Sequence, residues 1–187
     1  PPVSLLVGTN WDRLYAQSSD MFSVFGQADV RLDDRWSLTL GARYSSEDKD
    51  GSRALTLDGT GSALQGSPLL NVLWAAVLNV GPHNIASSRS ENSFDPMVRL
   101  SYELSDNSQA YVSYTQGSKA GGFDIRGNSI PGTPLVSSEG GWEFEEEEAT
   151  NIELGYKMKS DRASFDFTYF TTEYENLQTS VFDGVLG

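Results

Sequence analysis

Groups able to make or break bonds are sparse in this chain. There is one histidine, there is no cysteine, and the densest cluster of ionisable groups is the run Glu143-Phe-Glu-Glu-Glu-Glu148. His83 has no acidic neighbour in sequence to orient it as a general base or to share a metal with it. Without cysteine, neither a disulfide framework nor a thiolate metal site exists. The glutamate run offers oxygens of the kind a hard cation takes, but it lacks the spacing of a calcium loop and reads better as a solvated strand entrance. G-x-S-x-G, Walker A and G-x-G-x-x-G motifs are all missing. The chain is therefore read as a non-enzyme, with no catalytic residue, no metal site and no cofactor.

Binding chemistry is better represented. The stretch Gly117-Ser-Lys-Ala-Gly-Gly-Phe-Asp124 brings Lys119 close to Phe123, with Arg126 just beyond. Cations beside an aromatic ring suit an anionic, catecholate-like ligand, although the glycines would also serve simply to shape a turn. Trp74 sits in an apolar stretch, Ser67 to Pro82, that reads as a short helix. Ser67 fits its N-cap, Pro68 its first turn, and Gly81-Pro82 its end. Leu70, Leu73, Trp74, Val77 and Leu78 would share one face. Trp74 is then either a lid or ligand contact, or part of a helix packed on neighbouring loops.

The elements that must hold these groups are strands. Six segments alternate: Phe22 to Leu32, Trp36 to Ser46, Phe94 to Leu104, Ala110 to Gly117, Thr150 to Met158 and Ala163 to Tyr174. They fall into three pairs, each joined by a tight polar turn. Between the pairs lie Glu47 to Ser93, roughly 47 residues, and Ser118 to Glu148, roughly 31, against about 2–5 in an ordinary hairpin. Side chains alternate across a strand. One face carries Val24, Val30, Leu38, Leu40, Val98, Leu100, Leu154 and Phe167 and no charge. The other carries Asp29, Arg31, Arg43, Arg99, Glu103, Glu153 and Lys157.

A half-buried soluble sheet would alternate in the same way. Length and aromatic placement favour a membrane. Several segments run to about 11 residues, the length of a tilted transmembrane strand. Trp36, Tyr102, Tyr156 and Phe165 lie near the tight turns, and Phe22, Tyr44, Phe94, Tyr114 and Tyr169 toward the long loops. Two aromatic bands around an aliphatic middle are what two lipid–water interfaces select. The mean hydropathy of −0.37 does not oppose this, because only every second strand residue would face lipid. The net charge of −13 argues against nucleic acid as a partner. The first residues lack the basic start and apolar run of a signal peptide, so the chain is expected to be an internal or truncated piece.

Three strings resemble the TonB-dependent outer-membrane receptors. They are Phe22 to Leu32 followed by Trp36 to Tyr44, Phe94 to Tyr102 followed by Ala110 to Phe123, and Glu148 to Lys157 leading to Tyr169-Phe170 and Tyr174 to Gln178. The resemblance implies an all-β fold, a meander of about six strands belonging to a transmembrane barrel of about 22. It implies a place in the bacterial outer membrane, tight turns on the periplasmic side and long loops outside. It also implies import of a ferric siderophore or a similar scarce nutrient. Lipid, a plug domain and TonB would be the partners of the full-length protein, and the charged lumen face would brace the plug. Residues 1–187 would form one partial barrel domain, with no plug, no TonB box and no C-terminal strand. The alternatives are a structural or adhesive outer-membrane barrel and a soluble β-sandwich binding module.

Overall fold

The computed structural model describes residues 2–126 and 142–179. Its strands, in chain order, are β1 (Asn10–Arg31), β2 (Trp36–Asp58), β3 (His83–Ser105), β4 (Ser108–Lys119), β5 (Gly122–Phe123), β6 (Glu143–Phe144), β7 (Glu147–Lys159) and β8 (Ser164–Glu175). One six-stranded sheet runs β1-β2-β3-β4-β7-β8, each neighbour antiparallel. β5 and β6 form a separate two-stranded ribbon. Among the described residues no helix is long and apolar enough to cross a membrane.

The register agrees with the alternation in the sequence. Val24 pairs with Tyr44, Leu38 with Leu100, Val98 with Tyr114, Val112 with Leu154, and Tyr156 with Phe167. Val24, Leu38, Val98, Leu154 and Phe167 therefore share a face, and Arg43 and Arg99 lie on the other. A slip of one residue would have inverted this. A single register shift occurs in the sheet, between Glu103 and Ser105, where it tightens the turn into β4. The turn before β2 is closed by Asp33, whose carboxylate accepts from the backbone N–H of Arg35 and of Trp36, both at 2.7 Å.

Strand length differs from expectation. β1, β2 and β3 have 22, 23 and 23 residues, about twice the lengths read from the pattern. Much of the expected first loop, Glu47 to Ser93, is strand. The connection proper runs over residues 59–82. The cause is a change on one face. Above Phe22, Tyr44 and Phe94 the apolar face turns polar, with Asp12, Asp20, Asp48, Asp50, Asp58, Asn84, Ser88 and Asn92 taking the same parity. Apolar–polar alternation stops there while the hydrogen-bonded ladder continues. Such a switch is what a strand leaving a hydrocarbon layer for water requires. From Trp36 to Tyr44 the apolar band spans about 26 Å along the strand, at roughly 3.3 Å per residue.

Among the described residues the apolar face carries no second sheet. Val24, Leu40, Phe94, Val98, Leu154, Phe167 and Tyr169 are all exposed. The lower aromatic band is built across strands, with the Trp36 and Tyr102 rings 4.6 Å apart and Tyr156 and Phe165 6.3 Å apart. A soluble sandwich would bury this surface against another layer.

Among the described residues, one apolar core cluster forms, at the far end of β2. It joins Leu55, Leu64, Leu70, Trp74 and Val80 with Leu6 of a 3-10 turn, Pro2–Leu6. The expected helix is present as α1 (Leu69–Leu78). Its ends differ from the reading. Pro68 rather than Ser67 is the N-cap, though Ser67 Oγ still accepts from the Leu69 N–H at 3.3 Å. Asn79, left-handed at φ 53°, is the C-cap in place of Gly81. Asparagine tolerates that conformation, and its N–H reaches the Ala75 carbonyl. Leu78 leaves the expected face and is exposed, while Leu73 and Val77 pack against the cluster.

Candidate functional site on the inner wall

The charged face of the sheet is lined, beyond the membrane band, by polypeptide folded onto it. Three basic residues on that one face receive the incoming chain. Arg53, on β2, is fully buried at 0% exposure. Its Nε donates to His83 Nε2 at 2.9 Å, its Nη1 to the Asp124 carbonyl at 2.8 Å, and its guanidinium lies 5.0 Å from the Trp142 ring centroid. Lys49 Nζ donates to the Gly121 carbonyl at 2.7 Å. Arg89, on β3, bonds Glu91 on its own strand and reaches Glu143 at 3.2 Å and Glu145 at 2.9 Å.

The segment brings its own aromatic filling. Phe123 and Trp142 stack at 5.0 Å, both buried, and the Tyr15 ring meets Trp142 edge-on. Trp142 Nε1 donates to Ser87 Oγ at 3.1 Å. Gly51 makes the approach possible, since a Cβ there would stand 2.3 Å from the Phe123 ring. Gly121 is equally confined, with its N–H on Glu91 and the Phe144 carbonyl 2.4 Å from where a Cβ would sit.

Electrostatics match this geometry. Burial lowers the Arg89 pKa, but its bonds to Glu91 and Glu145 outweigh that and hold it above the ordinary arginine value. Burial lowers that of Arg53, with Asp124 opposing and Arg13 adding to the fall. Below them lies a cavity of about 130 Å³, lined by Arg43, Glu47, Glu91, Asp95, Ser118 and Glu146 among others. Burial and then Glu91 push the Glu146 carboxyl above its usual range, with Ser118 opposing. Among the described residues no His, Cys, Asp and Glu group is arranged to hold a metal ion.

His83 is the one histidine of the chain and lies in this lining. Its Nδ1 faces the Gly81 carbonyl at 2.8 Å, and its Nε2 accepts from Arg53. Burial lowers its pKa first; Gly81 opposes, while Arg53 and Arg13 lower it further. Asp124 is the nearby carboxylate, acting on both arginines. A folded site that binds its proton less readily than the unfolded chain loses stability as pH falls below about 6.5. That loss stops once pH is below the depressed folded value. Amide exchange of Gly121 to Asp124, corrected for intrinsic rate, is expected to quicken between pH 7 and 5. His83→Gln should remove that step, and an identical profile in the variant would show that another group causes it.

A family profile described as TonB dependent receptor-like, beta-barrel matches residues 4–187. The chain belongs to that family. No curated relative matches it. Among solved structures, the ferric yersiniabactin uptake receptor FyuA from Yersinia pestis is similar in fold, with a TM-score of 0.66 and 17% identity. The match covers 90% of this chain and 22% of FyuA's chain. The described sheet is thus a segment of a TonB-dependent receptor barrel.

Within that barrel segment the expected site residues separate. Phe123 is in the inner lining but buried against Trp142 and Gly51. Trp74 is 5% exposed in the cluster of α1, its indole N–H on Thr9 Oγ1 at 3.1 Å. The structure gives it the packing role. Lys119 and Arg126 are exposed and do not meet Phe123 in one site. Asp29, Arg31, Arg43, Arg99, Glu103, Glu153 and Lys157 all take the inner-wall parity. In the glutamate run, Glu143 and Glu145 are exposed, as a solvated entrance requires, and also pair with Arg89, while Glu146 to Glu148 are half-buried. Arg53, Arg89, Lys49, Gly51 and Trp142 were missed. Their signal was the period-two spacing of Lys49, Gly51 and Arg53, legible only once β2 is extended past Ser46.

Proposed function

We propose that this chain forms part of the wall of an outer-membrane receptor that imports a ferric siderophore or a similarly scarce nutrient. TonB and a plug domain are its partners in the full-length protein. The observation that carries this reading is a single sheet with an uncovered apolar band on one face and a charged, chain-lined wall on the other. A structural or adhesive barrel would have no need to fold a buried Arg53–Trp142–Phe123 lining onto that wall. FyuA, similar in fold, is by its name a ferric siderophore uptake receptor, which supports the ligand class.

The experiment uses the full-length receptor that contains this segment, expressed in cells lacking their own ferric-siderophore receptors. Growth under iron limitation on supplied ferric siderophores, and its loss without TonB, is the expected result. A folded, surface-exposed receptor that restores growth on no ferric siderophore and takes up no cobalamin would overturn the reading.

A further inference from the structure

We propose that Arg35, held at the membrane edge by Tyr102, binds the phosphate of a phospholipid in the leaflet that the tight turns face. This rests on the receptor reading above, which puts the apolar face in a membrane. The Arg35 carbonyl accepts from the Glu103 N–H at 2.8 Å, which carries the β2–β3 ladder one residue past the Trp36–Tyr102 pair. Its backbone is therefore fixed at the foot of the lower aromatic band. Strand alternation carried past Trp36 would aim the Arg35 side chain at the inner wall. Its guanidinium instead reaches the apolar face. Nη1 donates to the Tyr102 hydroxyl at 3.3 Å, and the Tyr102 ring lies 4.6 Å from Trp36 within that band.

The carboxylates around it are used elsewhere. Asp33 closes the turn on the backbone N–H groups of Arg35 and Trp36, and Glu103 pairs with Arg31 on the inner wall at 3.7 Å. Although two aspartates precede it, no ion pair within 4.0 Å involves Arg35 among the described residues. Arg35 is exposed, so the donors not spent on Tyr102 stay open to a partner from outside. Apolar surface adjoins the charge, since Leu32, Trp36 and Leu104 are exposed beside it. A cation at the rim of an apolar band fits a phosphodiester whose acyl chains lie along that band. The planar fork suits phosphate oxygens, and the Tyr102 hydroxyl fixes where it is offered. The turn before β8 also carries Lys159 and Arg162, but among the described residues neither side chain is held by an aromatic hydroxyl. Arg35 is thus the anchored cation of the rim.

The test uses the full-length receptor in detergent, with phosphatidylglycerol as the probe and native mass spectrometry as the readout. The receptor is expected to retain a tightly bound lipid. Arg35→Gln should weaken that binding by about tenfold, and Tyr102→Phe, which keeps the ring and frees the arginine, by about threefold. Arg35→Lys keeps the charge without the fork and should recover only part of the loss. Arg162→Gln removes the same charge from the same rim and should change nothing. Heat-modifiable gel migration should show a folded barrel in each case. Equal weakening by Arg35→Gln and Arg162→Gln would mean that the lipid follows rim charge alone, and the site would fall. Unchanged binding in a folded Arg35→Gln barrel, or no retained lipid in the unmutated receptor, overturns it directly. Displacement of the lipid by inorganic phosphate would make a free anion the occupant and overturn it as well. A receptor that shows the Arg35 dependence but imports no ferric ligand supports the site and counts against the transport reading alone.

Discussion

Leu40→Arg should block assembly of the full-length barrel in the outer membrane, whereas Thr39→Arg should pass nearly unnoticed. Leu40 lies in the middle of the apolar band, paired with Ala28 on β1 and Val98 on β3. A guanidinium at mid-bilayer on the lipid face costs about 2–4 kcal/mol. Thr39 points the other way and bonds Asp29 at 2.6 Å, so an arginine there meets water and an opposite charge. Quantitative urea titration of refolding into lipid vesicles measures the difference. Equal losses at both positions would mean that the two faces see the same medium, and the membrane assignment would fail.

Arg53→Ala is expected to release the inner lining while leaving the membrane band intact. The substitution removes hydrogen bonds to His83 and to the Asp124 carbonyl and a desolvated contact with the Trp142 ring. Bonds to a charged donor and a buried cation–π contact together amount to about 3 kcal/mol or more. The loss should concentrate in the residues that Arg53 holds, since β1, β2 and β3 keep their own ladders on either side. Hydrogen exchange should rise at Gly121 to Asp124 and Trp142 to Glu147 and stay slow at Val98 to Tyr102. Retained protection of the first two stretches would show that Arg89, Lys49 and the Phe123–Trp142 stack suffice without Arg53.

Both variants depend on features that differ in how openly the sequence displays them. Leu40 and Thr39 could be assigned to opposite faces without coordinates. Period-two alternation is a local property, and the two aromatic bands marked where the alternation meets an interface. The same pattern fixed the strand order, because tight turns such as Asp33-Asp34-Arg35 leave antiparallel neighbours no other arrangement.

Arg53 was invisible to that reading. Past Tyr44 the outward residues become polar, so a strand and a polar loop look alike, and β1 to β3 were read at half their length. Loop packing was equally hidden. Lys119, Phe123 and Arg126 are close in sequence, yet Phe123 is buried against Trp142 and Gly51 while the two cations are exposed. Trp74 was correctly placed on an apolar helical face, but only the position of Leu6 and Leu55 decided that this face is covered.

The sequence by itself determined the strands in the membrane band, their order, the face of every residue on them and the family resemblance. Each follows from the alternation of neighbouring side chains or from short strings. The tertiary structure alone decided how far β1, β2 and β3 continue, which residues of the connections fold inward, and that Arg53 and Arg89 hold them there. Those facts rest on contacts between residues about 30 to 90 positions apart, whose free energy comes from burial and charge pairing across the wall. No local pattern encodes such pairings, because a buried arginine and an exposed one are the same letter until the chain that covers them is in place.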